Sequence, residues 1–400
     1  MNRLQDYMDI VGDEMIHKIY LKTRKSYNKH LVHVNSTSQG GGVAEILHSI
    51  VPLMNDIGLE AGWRVLHGNS DFFSITKKFH NGLHGERIEL TDAIKKEYLR
   101  ANEEYSIFTH LDHEVVIIHD PQPLPLSQFY SKKQPWLWRC HIDLSNPDPN
   151  LWSFLKKFIL KYDLVIVSHE SYKKDDLPVE QRIIHPAIDP LTQKNREIKN
   201  GTIKDFLQKF DIPTDKPLLT QISRFDKWKD PVGVIEVFEE VRKKIDCRLV
   251  LCGNMASDDP EGIEIFERVK ERAGEYLDTR DIILITVESN TLVNVLQRAS
   301  DVIIQKSIRE GFGLTVTEAL WKGTPVVASN KGGIPLQVKD EVNGYLLDPD
   351  DNNGFADRII HILENKNLRK EFGDKGREHV RKNFLTTRLI LDYLNLLEEF

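Results

Sequence analysis

The sequence predicts an α/β protein that is built on parallel sheets and divided into more than one domain. Two observations predict this class. The chain has 400 residues, whereas an ordinary domain has roughly 150. Short apolar runs, typical of buried parallel strands, alternate along the chain with amphipathic stretches that are typical of helices. Strands that alternate regularly with helices form parallel sheets, because each helix returns the chain to the starting edge.

The first half of the chain contains three apolar runs that we predict as strands. Residues 31–34 form the first, and a glycine-rich turn at residues 38–42 follows it. A helix is predicted for residues 43–57, where apolar side chains recur at the spacing of one helix face. Residues 115–118 and 163–167 are two further short runs and complete a parallel sheet.

The second half repeats the alternation and predicts a second sheet. Its predicted strands are residues 218–222, 248–253, 282–285, 302–304 and 325–328, with a helix at about 231–244. A proline-flanked turn at 186–190, followed by a polar, lysine-rich stretch, marks the break between the halves. We therefore place the domains at 1–195 and 196–380, and expect a final helix at about 381–400 to pack back on the first domain.

Composition and charge exclude several classes of function. The chain is 40% hydrophobic and 29% charged, as in soluble globular proteins. Its net charge is -7 without a basic block, so we expect no nucleic-acid partner. No apolar run is long enough to span a bilayer, so we expect no membrane partner. Three cysteines without a paired motif, and a polar N-terminus, predict a cytoplasmic location.

The glycine turn at the start of the first predicted helix is a candidate anion site. Gly41 and Gly42 would leave backbone N–H groups free to contact a phosphate or a sugar. The segment departs from the dinucleotide-binding fingerprint because Glu45 replaces the third small residue. The alternative is a tight turn between strand and helix without a ligand.

Two glutamates that flank a Gly-Phe-Gly turn are the most informative pair in the chain. Glu310 precedes the turn, and Glu318 lies about one helical turn inside the helix that follows. Such an arrangement suits a ligand with an anionic middle and hydroxyl-rich ends, because the turn exposes N–H groups between two carboxylates. The alternative is a pair of exposed acids near a helix start, favoured by the helix dipole.

Two cations follow the first strand of the second half. Arg224 and Lys229 would lie at the carboxyl edge of that sheet, where α/β proteins bind ligands, and they could neutralise a diphosphate leaving group. The alternative is a charged surface loop. Because these cations can carry the charge, no metal is expected to be required. The acidic clusters at 258–259 and 348–351 lie among turn residues and are predicted as loops.

Polar residues in two segments of the first half are weaker candidates. His141 and Asp143 follow an apolar stretch, and Asp120 and Gln122 are interleaved with prolines at the end of a strand. His141 could hydrogen-bond a sugar hydroxyl, and the polar residues between the prolines could bind an acceptor hydroxyl. Taken alone, a histidine in such a position is more often structural.

These motifs together resemble the retaining, nucleotide-sugar-dependent glycosyltransferases with the GT-B architecture. The signatures are the two glutamates separated by seven residues and the Arg-x-x-x-x-Lys segment. Within that group the chain resembles trehalose synthases, and the segments that carry this likeness are residues 33–49, 119–123, 136–143 and 307–313. The resemblance implies two Rossmann-like domains that face each other across a cleft.

The resemblance also implies a role for each candidate residue. Glu310 would contact hydroxyls of the transferred hexose, and His141 would reach the same sugar. Glu318 would bind the ribose hydroxyls, and Arg224 and Lys229 would hold the diphosphate. Backbone N–H groups of the two glycine-rich turns would assist them, namely those at Gly41, Gly42, Gly313, Leu314 and Thr315. The acceptor would be bound by Asp120, Gln122 and Asp143.

The function implied is transfer of glucose from ADP-, UDP- or GDP-glucose to glucose, giving α,α-trehalose. Phosphorolysis of trehalose, transfer to another acceptor, and binding of a sugar nucleotide without turnover are the alternatives. No cofactor is required in this interpretation; stimulation by Mg²⁺ is left open, without a metal site on the protein. A homodimer is also left open.

Overall fold

The chain forms two compact units, and the computed structural model describes residues 2–253 and 260–400. The first unit consists of Met1–Ala187 and Leu385–Phe400, and the second consists of Ile188–Phe384. Residues 188–195 therefore pack with the second unit. The acidic pair Asp258-Asp259, which we predicted as a loop, lies outside the described residues.

Every strand predicted from an apolar run is present. The first unit contains β1 (His30–Asn35), β2 (Glu60–Val65), β3 (Val115–His119), β4 (Trp136–Arg139), β5 (Leu164–Val167) and β6 (Glu180–Ile183). The second contains β7 (Leu218–Ile222), β8 (Arg248–Cys252), β9 (Ile282–Ile285), β10 (Val302–Gln305), β11 (Val326–Ser329) and β12 (Gly344–Leu347).

Within the described residues these strands form two six-stranded sheets in which neighbouring strands pair in parallel. The order in the first unit is β2-β1-β3-β4-β5-β6, and the order in the second is β12-β11-β10-β7-β8-β9. The second order corresponds to 3-2-1-4-5-6 counted from its own first strand, which is the order of dinucleotide-binding folds. The predicted α/β class with two Rossmann-like domains is confirmed.

Helices connect most consecutive strands; β3 and β4, and β5 and β6, are joined through short 3-10 turns instead. The first unit contains α1 (Met8–Val11), α2 (Asp13–Thr23), α3 (Gly42–Asp56), α4 (Ser70–Leu83), α5 (Asp92–Phe108), α6 (Pro149–Ile159) and the C-terminal α15 (Thr386–Leu397). The second contains α7 (Asn200–Lys209), α8 (Pro231–Arg242), α9 (Pro260–Ala273), α10 (Asn290–Ala299), α11 (Leu314–Trp321), α12 (Ile334–Gln337), α13 (Asn352–Glu364) and α14 (Lys366–Asn383). Short 3-10 turns lie at Leu4–Tyr7, Leu124–Gln128, Glu170–Tyr172, Lys227–Lys229 and Gly274–Tyr276.

Parallel strands buried on both faces explain the continuous apolar runs. In β1, Leu31 faces the side opposite to Val32 and Val34, and all three side chains are buried. Val32 and Val34 belong to a core that also includes α4, α5 and α6. Helices α2, α3 and α15 pack together, and the buried side chains of α15 explain why its leucines recur at helical spacing.

The expected C-terminal helix begins later than the sequence predicts. Residues 381–383 belong to α14, and α15 begins only at Thr386. The chain leaves helical geometry at Phe384, whose φ is -133° and ψ is 24°. The carbonyl of Phe384 accepts from the N–H of Ile188 at 2.9 Å. The interruption therefore coincides with the return of the chain to the first unit.

The three cysteines are free and buried. Burial raises the pKa of the Cys247 and Cys252 thiols to about 12 and that of Cys140 well above its usual range. Each thiol is therefore protonated and unreactive in the folded chain. No helix within the described residues is both long enough and apolar enough to cross a membrane.

Candidate functional site

Except for His141 and Asp143, which follow β4, the candidate residues follow the strands at which the order of each sheet reverses. In the first sheet the order reverses between β1 and β3, and in the second between β7 and β10. Parallel α/β sheets bind ligands outside the carboxyl ends of such strands, because the connecting helices diverge there and leave a crevice. Arg224 and Lys229 follow β7, and Glu310 follows β10.

A capped 3-10 turn positions Lys229 in the second unit. The Asp226 carboxylate accepts from the N–H of Trp228 at 2.8 Å and starts the turn Lys227–Lys229. The side-chain amide of Gln221, in β7, donates to the carbonyl of Lys229 at 2.7 Å. The N–H of Ile308 donates to the carbonyl of Trp228 at 2.8 Å. The turn after β7 is thus joined to the loop after β10.

Glu310 forms a direct ion pair with Lys229. The Lys229 Nζ to Glu310 Oε2 distance is 2.7 Å. The same oxygen accepts from Gln305 Nε2 and from Ser307 Oγ, each at 3.1 Å. Glu310 is 7% exposed, so these three donors stabilise a largely buried carboxylate. Arg224 is exposed by contrast, and its guanidinium lies 4.0 Å from the carboxylate of Asp226.

The Gly-Phe-Gly turn begins α11 and lies against Glu310. Gly313 has a φ of 85°, which is left-handed and favours glycine. A side chain at this position would also lie only 3.3 Å from Cγ of Glu310. The amides of Leu314 and Thr315 are in the first turn of α11, where no carbonyl of the helix can accept from them. The Thr315 hydroxyl donates to Gln305 Oε1 at 3.2 Å.

Glu318 is buried, and it is paired within the protein. Lys194 Nζ lies 2.9 Å from Glu318 Oε1, and Gln297 Nε2 donates to Glu318 Oε2 at 3.1 Å. Lys322 Nζ donates to Gln297 Oε1 at 2.6 Å and to Asn195 Oδ1 at 2.9 Å. Burial lowers the pKa of Lys322 to about 7, although the Glu318 charge opposes this shift. The ribose role of Glu318 stays a prediction.

In the first unit, the predicted glycine turn joins β1 to α3. Gly40 and Gly41 have φ values of 69° and 79°, and a side chain at either would meet no atom within 4 Å. The backbone conformation, and not crowding, therefore requires these glycines. Gly42 is the first residue of α3, and His48 holds the turn through a 2.8 Å hydrogen bond to the carbonyl of Ser38.

Asp120 adopts a left-handed conformation and holds the backbone of His141. Its φ is 61°, and its Oδ1 accepts from the N–H of His141 at 2.7 Å. Burial raises the pKa of Asp120 to about 7, although the N–H of His141 and the charge of Arg139 oppose this shift. Trp138 Nε1 donates to the carbonyl of Asp120 at 3.0 Å. The contacts therefore bring Asp120 and His141 together, as their positions at neighbouring strand ends suggest.

The other two acceptor candidates differ in their surroundings. Asp143 is buried, and its Oδ1 accepts from the N–H of Ser145 at 2.8 Å, which stabilises a local turn. Gln122 Oε1 is buried and has no hydrogen-bond partner among the described residues. Acceptor binding by either residue stays a prediction.

Three histidine rings form a row that the sequence does not predict. Nδ1 of His33 lies 3.0 Å from Nε2 of His119, and Nδ1 of His119 lies 3.0 Å from Nε2 of His141. Burial is the main cause that lowers the pKa of His33 to about 3 and those of His119 and His141 well below the usual range. The charge of Arg139 contributes to each shift. All three rings are therefore neutral near pH 7.

The burial of these histidines makes the free energy of unfolding depend on pH. The pKa of His33 is about 3 in the folded chain against 6.5 for an unperturbed histidine. The unfolded chain therefore binds protons more tightly, and the stability present above pH 6.5 is lost as the pH falls toward 3. One such histidine contributes a slope of about 1.4 kcal/mol per pH unit. We expect urea midpoints to fall between pH 6.5 and 5, above the range of unfolded carboxylates, and to fall less steeply in His33→Leu. An unchanged slope in that variant would contradict the assignment.

The structure gives contacts to residues that the sequence analysis did not assign to the site, although His33, His119 and Ser307 lie within the segments that resemble trehalose synthases. Gln305 and Ser307 contact Glu310, Lys194 and Gln297 contact Glu318, and His33 and His119 lie in the histidine row. Gln305 and His119 also carry a local signal, because each is a polar side chain at the end of a buried apolar strand. Within the described residues, no group of three histidine, cysteine, aspartate or glutamate side chains could hold a metal ion.

Two protein families match the chain, one in each half. Residues 33–174 match the family described as "Trehalose synthase, N-terminal domain". Residues 202–379 match the family "Glycosyl transferases group 1". The first range contains the glycine turn, Asp120 and His141, and the second contains Arg224, Lys229 and both glutamates.

Trehalose synthases from other organisms are similar in sequence over nearly the full chain. A trehalose synthase of Pyrococcus horikoshii is 48% identical over 400 residues, which cover 99% of this chain and 96% of the relative. One from Thermococcus litoralis is 46% identical, over 100% of this chain and 97% of its own. The fold resembles an α,α-trehalose-phosphate synthase (UDP-forming) from Burkholderia vietnamiensis, with a TM-score of 0.75, 16% identity, and coverage of 93% and 97%. The predicted family is thereby confirmed: the chain belongs to the trehalose synthases, within the glycosyltransferases of the GT-B fold.

Proposed function

We propose that this glycosyltransferase makes α,α-trehalose by transferring glucose, with retention of configuration, from a nucleotide-glucose to free glucose. The observation that carries the proposal is the arrangement of Arg224, Lys229 and Glu310 outside the carboxyl ends of β7 and β10. Two cations and a carboxylate beside the first turn of a helix suit a sugar joined to a diphosphate. The full-length similarity to trehalose synthases supports the choice of sugar.

The diphosphate is assigned to the cations and to the start of α11. Arg224 is exposed, so its guanidinium can turn toward a ligand and bind phosphate oxygens in a bidentate manner. Lys229 is held 2.7 Å from Glu310 and supplies a fixed positive charge. The amides of Gly313, Leu314 and Thr315 face the same end of α11, where the helix dipole favours an anion. Together these groups would stabilise the charge that develops on the leaving diphosphate.

The transferred hexose is assigned to Glu310 and His141. Three donors already fix the Glu310 carboxylate through Oε2. A carboxylate held in this way can accept hydrogen bonds from sugar hydroxyls without rearranging, which lowers the cost of ordering the site. His141 is neutral, so it can hydrogen-bond a hydroxyl without adding a charge next to the forming oxocarbenium ion.

The chemistry follows from this distribution of charge. The bond between the anomeric carbon and the diphosphate oxygen breaks first, while Arg224, Lys229 and the amides stabilise the departing anion. The acceptor glucose attacks from the face that the diphosphate leaves, so the configuration is retained. A phosphate oxygen of the leaving group takes the proton of the attacking hydroxyl. In this scheme no side chain of the protein forms a covalent bond to the sugar.

The remaining assignments complete the proposal. Glu318 would bind the ribose hydroxyls, which requires its pair with Lys194 to share the carboxylate with the ligand. Asp120, Gln122 and Asp143 would bind the acceptor, and the unpartnered Gln122 Oε1 supports a ligand contact there. The glycines at 41 and 42 would contribute N–H groups. We also propose that the reaction needs no cofactor and takes place in the cytoplasm, which the three free cysteines support.

Product analysis tests the proposal. Purified protein would be incubated with ADP-, UDP- or GDP-glucose and with ¹³C-labelled glucose, and the products would be identified by NMR. We expect a disaccharide with both anomeric carbons in the α configuration, in equal amount to the nucleoside diphosphate. No trehalose from any donor would overturn the proposal. In a second arm the protein is incubated with trehalose and phosphate but without nucleotide. Formation of glucose 1-phosphate in that arm would identify a phosphorylase. EDTA in a third arm tests the absence of a metal requirement.

A further inference from the structure

The row of three histidines in the first unit extends from the core to the candidate site. His33 lies in β1 and His119 in β3, and His141 follows β4 two residues after its last residue. These three strands are neighbours in the sheet. His33 and His119 are buried, whereas His141 is half-buried. The row therefore connects a group proposed to contact the sugar with two imidazoles that no ligand is expected to touch.

The number of hydrogens on neutral imidazole rings allows only two arrangements of the hydrogen bonds in the row. A neutral imidazole has one N–H and one bare nitrogen. His119 uses both of its nitrogens within the row, one toward His33 and one toward His141. It must therefore accept through one nitrogen and donate through the other, since two donors would make it a cation and two acceptors an anion. Both hydrogen bonds consequently run in the same direction along the row.

The surroundings of His33 select the direction. If the bonds ran from His141 toward His33, Nε2 of His33 would carry a hydrogen. That atom is buried and has no hydrogen-bond partner among the described residues. A buried N–H without an acceptor is rare, because it loses its bond to water and gains nothing. A nitrogen without a hydrogen at this position costs less free energy than an N–H without an acceptor.

Arg139 contributes a positive charge near all three rings, so its charge does not distinguish the two directions. Arg139 is buried, its guanidinium donates to the hydroxyl of Tyr393, and the ring of Tyr393 meets the His33 ring edge-on at 5.7 Å. The direction of the hydrogen bonds therefore rests on the buried, unpartnered Nε2 of His33. In the selected direction each ring donates through Nδ1, His119 and His141 accept through Nε2, and Nε2 of His33 carries no hydrogen. The open end of the row is Nδ1–H of His141, and no described residue forms a hydrogen bond with it.

We propose that His33 and His119 are positioning residues that hold His141 as its Nδ1–H tautomer, so that it presents a donor to the hexose. The identity of the ligand as a hexose rests on the function proposed above. The assignment of the tautomer does not depend on that function. A donor at this place suits a hydroxyl oxygen of the sugar. It also prevents His141 from acting as a base, because its outward nitrogen has no lone pair in the ring plane. The proton of the acceptor must then go to the leaving phosphate.

The tautomers can be measured on the wild-type protein without substrate. Full-length protein labelled with ¹⁵N-histidine would be studied near pH 7.5 by long-range ¹H–¹⁵N correlation spectra, which distinguish Nδ1–H from Nε2–H rings. Signals would be assigned by comparison with the single variants of the row. We expect His33, His119 and His141 all to be Nδ1–H tautomers. An Nε2–H tautomer at His141 would overturn the proposal.

Kinetics of His119→Leu test whether the tautomer matters for turnover. Without the donor from His119, His141 can adopt either tautomer and can be protonated nearer pH 6.5. We expect kcat to fall about 10- to 100-fold, the scale found when a metal-bound histidine loses the partner that orients it. The pH profile of kcat should gain an acid limb, while KM for the nucleotide-glucose changes little. His119→Gln, whose amide both accepts and donates, should recover part of kcat.

A matched control separates this role from general damage to the fold. His84 is also a buried histidine of the first unit, 6% exposed, and lies outside the row. His84→Leu should keep the wild-type pH profile. If His119→Leu does the same and its kcat is unchanged, the positioning role is refuted. If the protein makes no trehalose from any donor, the proposed function fails while the spectra still decide the tautomers. If trehalose is made and His141 is Nε2–H, only the positioning role fails.

Discussion

Replacing Lys229 by alanine is expected to lower kcat for glucose transfer about 10²-fold or more, the effect of removing one preorganised donor from a site where negative charge develops. Arg224→Ala should have an effect of similar size. The structure adds a second reason for Lys229, because its removal leaves the Glu310 carboxylate, 7% exposed, without its cationic partner. Steady-state kinetics with saturating glucose would measure both variants.

Binding of the nucleoside diphosphate product separates the two roles of Lys229. If Lys229 holds the diphosphate, calorimetry should show weaker product binding in Lys229→Ala; if it only orients Glu310, product binding should be retained. Lys227→Ala is the matched control, because Lys227 lies in the same 3-10 turn and pairs with Glu261 at 3.2 Å instead. Near-normal turnover in both Arg224→Ala and Lys229→Ala would refute their assignment.

Replacing Glu310 by glutamine is expected to lower kcat about 10²-fold as well, through loss of a fixed charge at the transferred sugar. The change keeps the size of the side chain. It replaces the single acceptor for Lys229, Gln305 and Ser307 by an amide that cannot accept from all three as strongly. Nucleotide binding should change little, since Glu310 is assigned to the sugar.

A double-mutant cycle tests whether Glu310 and Lys229 act as one unit. If they do, the double variant should lose little more activity than either single variant, because the two effects are not independent. Fully additive losses in free energy of activation would show that the ion pair is incidental. Glu364→Gln, at an exposed position at the end of α13, is the control for the substitution itself and should retain wild-type kinetics.

The sequence predicts the central strands well, because a strand buried on both faces must be apolar throughout. Three of the four strands it misses lie at sheet edges, where this condition does not hold. β2 and β6 lie at the two edges of the first sheet and are partly exposed, so polar and small residues are tolerated there. β12 is the edge of the second sheet. β4 is central and buried, but its two tryptophans and its terminal arginine do not form the aliphatic run that marks the other buried four-residue strands.

The strand pattern also predicts that Arg224 and Glu310 lie at the same edge of one sheet. Residues that follow parallel strands must emerge at the carboxyl edge, and β7 and β10 turn out to be neighbours. The ion pair with Lys229 cannot be read in the same way. It joins residues 81 positions apart, and it depends on a turn that is set by the side chain of Asp226 and by Gln221.

Burial of charge is the feature that the sequence conveys least. Glu318 is fully buried because Lys194, from a segment that looks like a polar linker, reaches it, and Gln297 completes the pairing. The histidine row depends in the same way on three strands brought side by side. Such contacts form only when the strands of the sheet come together. The spacing of residues within one segment of the sequence therefore cannot predict them.

The buried thiols can serve as natural probes of how often the core of each unit opens. A thiol with a pKa of about 12, as at Cys247 and Cys252, has only about one thiolate in 10⁴ at pH 8, so alkylation requires the core to open first. Cys140 lies in the first unit, whereas Cys247 and Cys252 lie in the second. Mass spectra of alkylated peptides, taken over time, can therefore record how long each unit stays closed, with no engineered label.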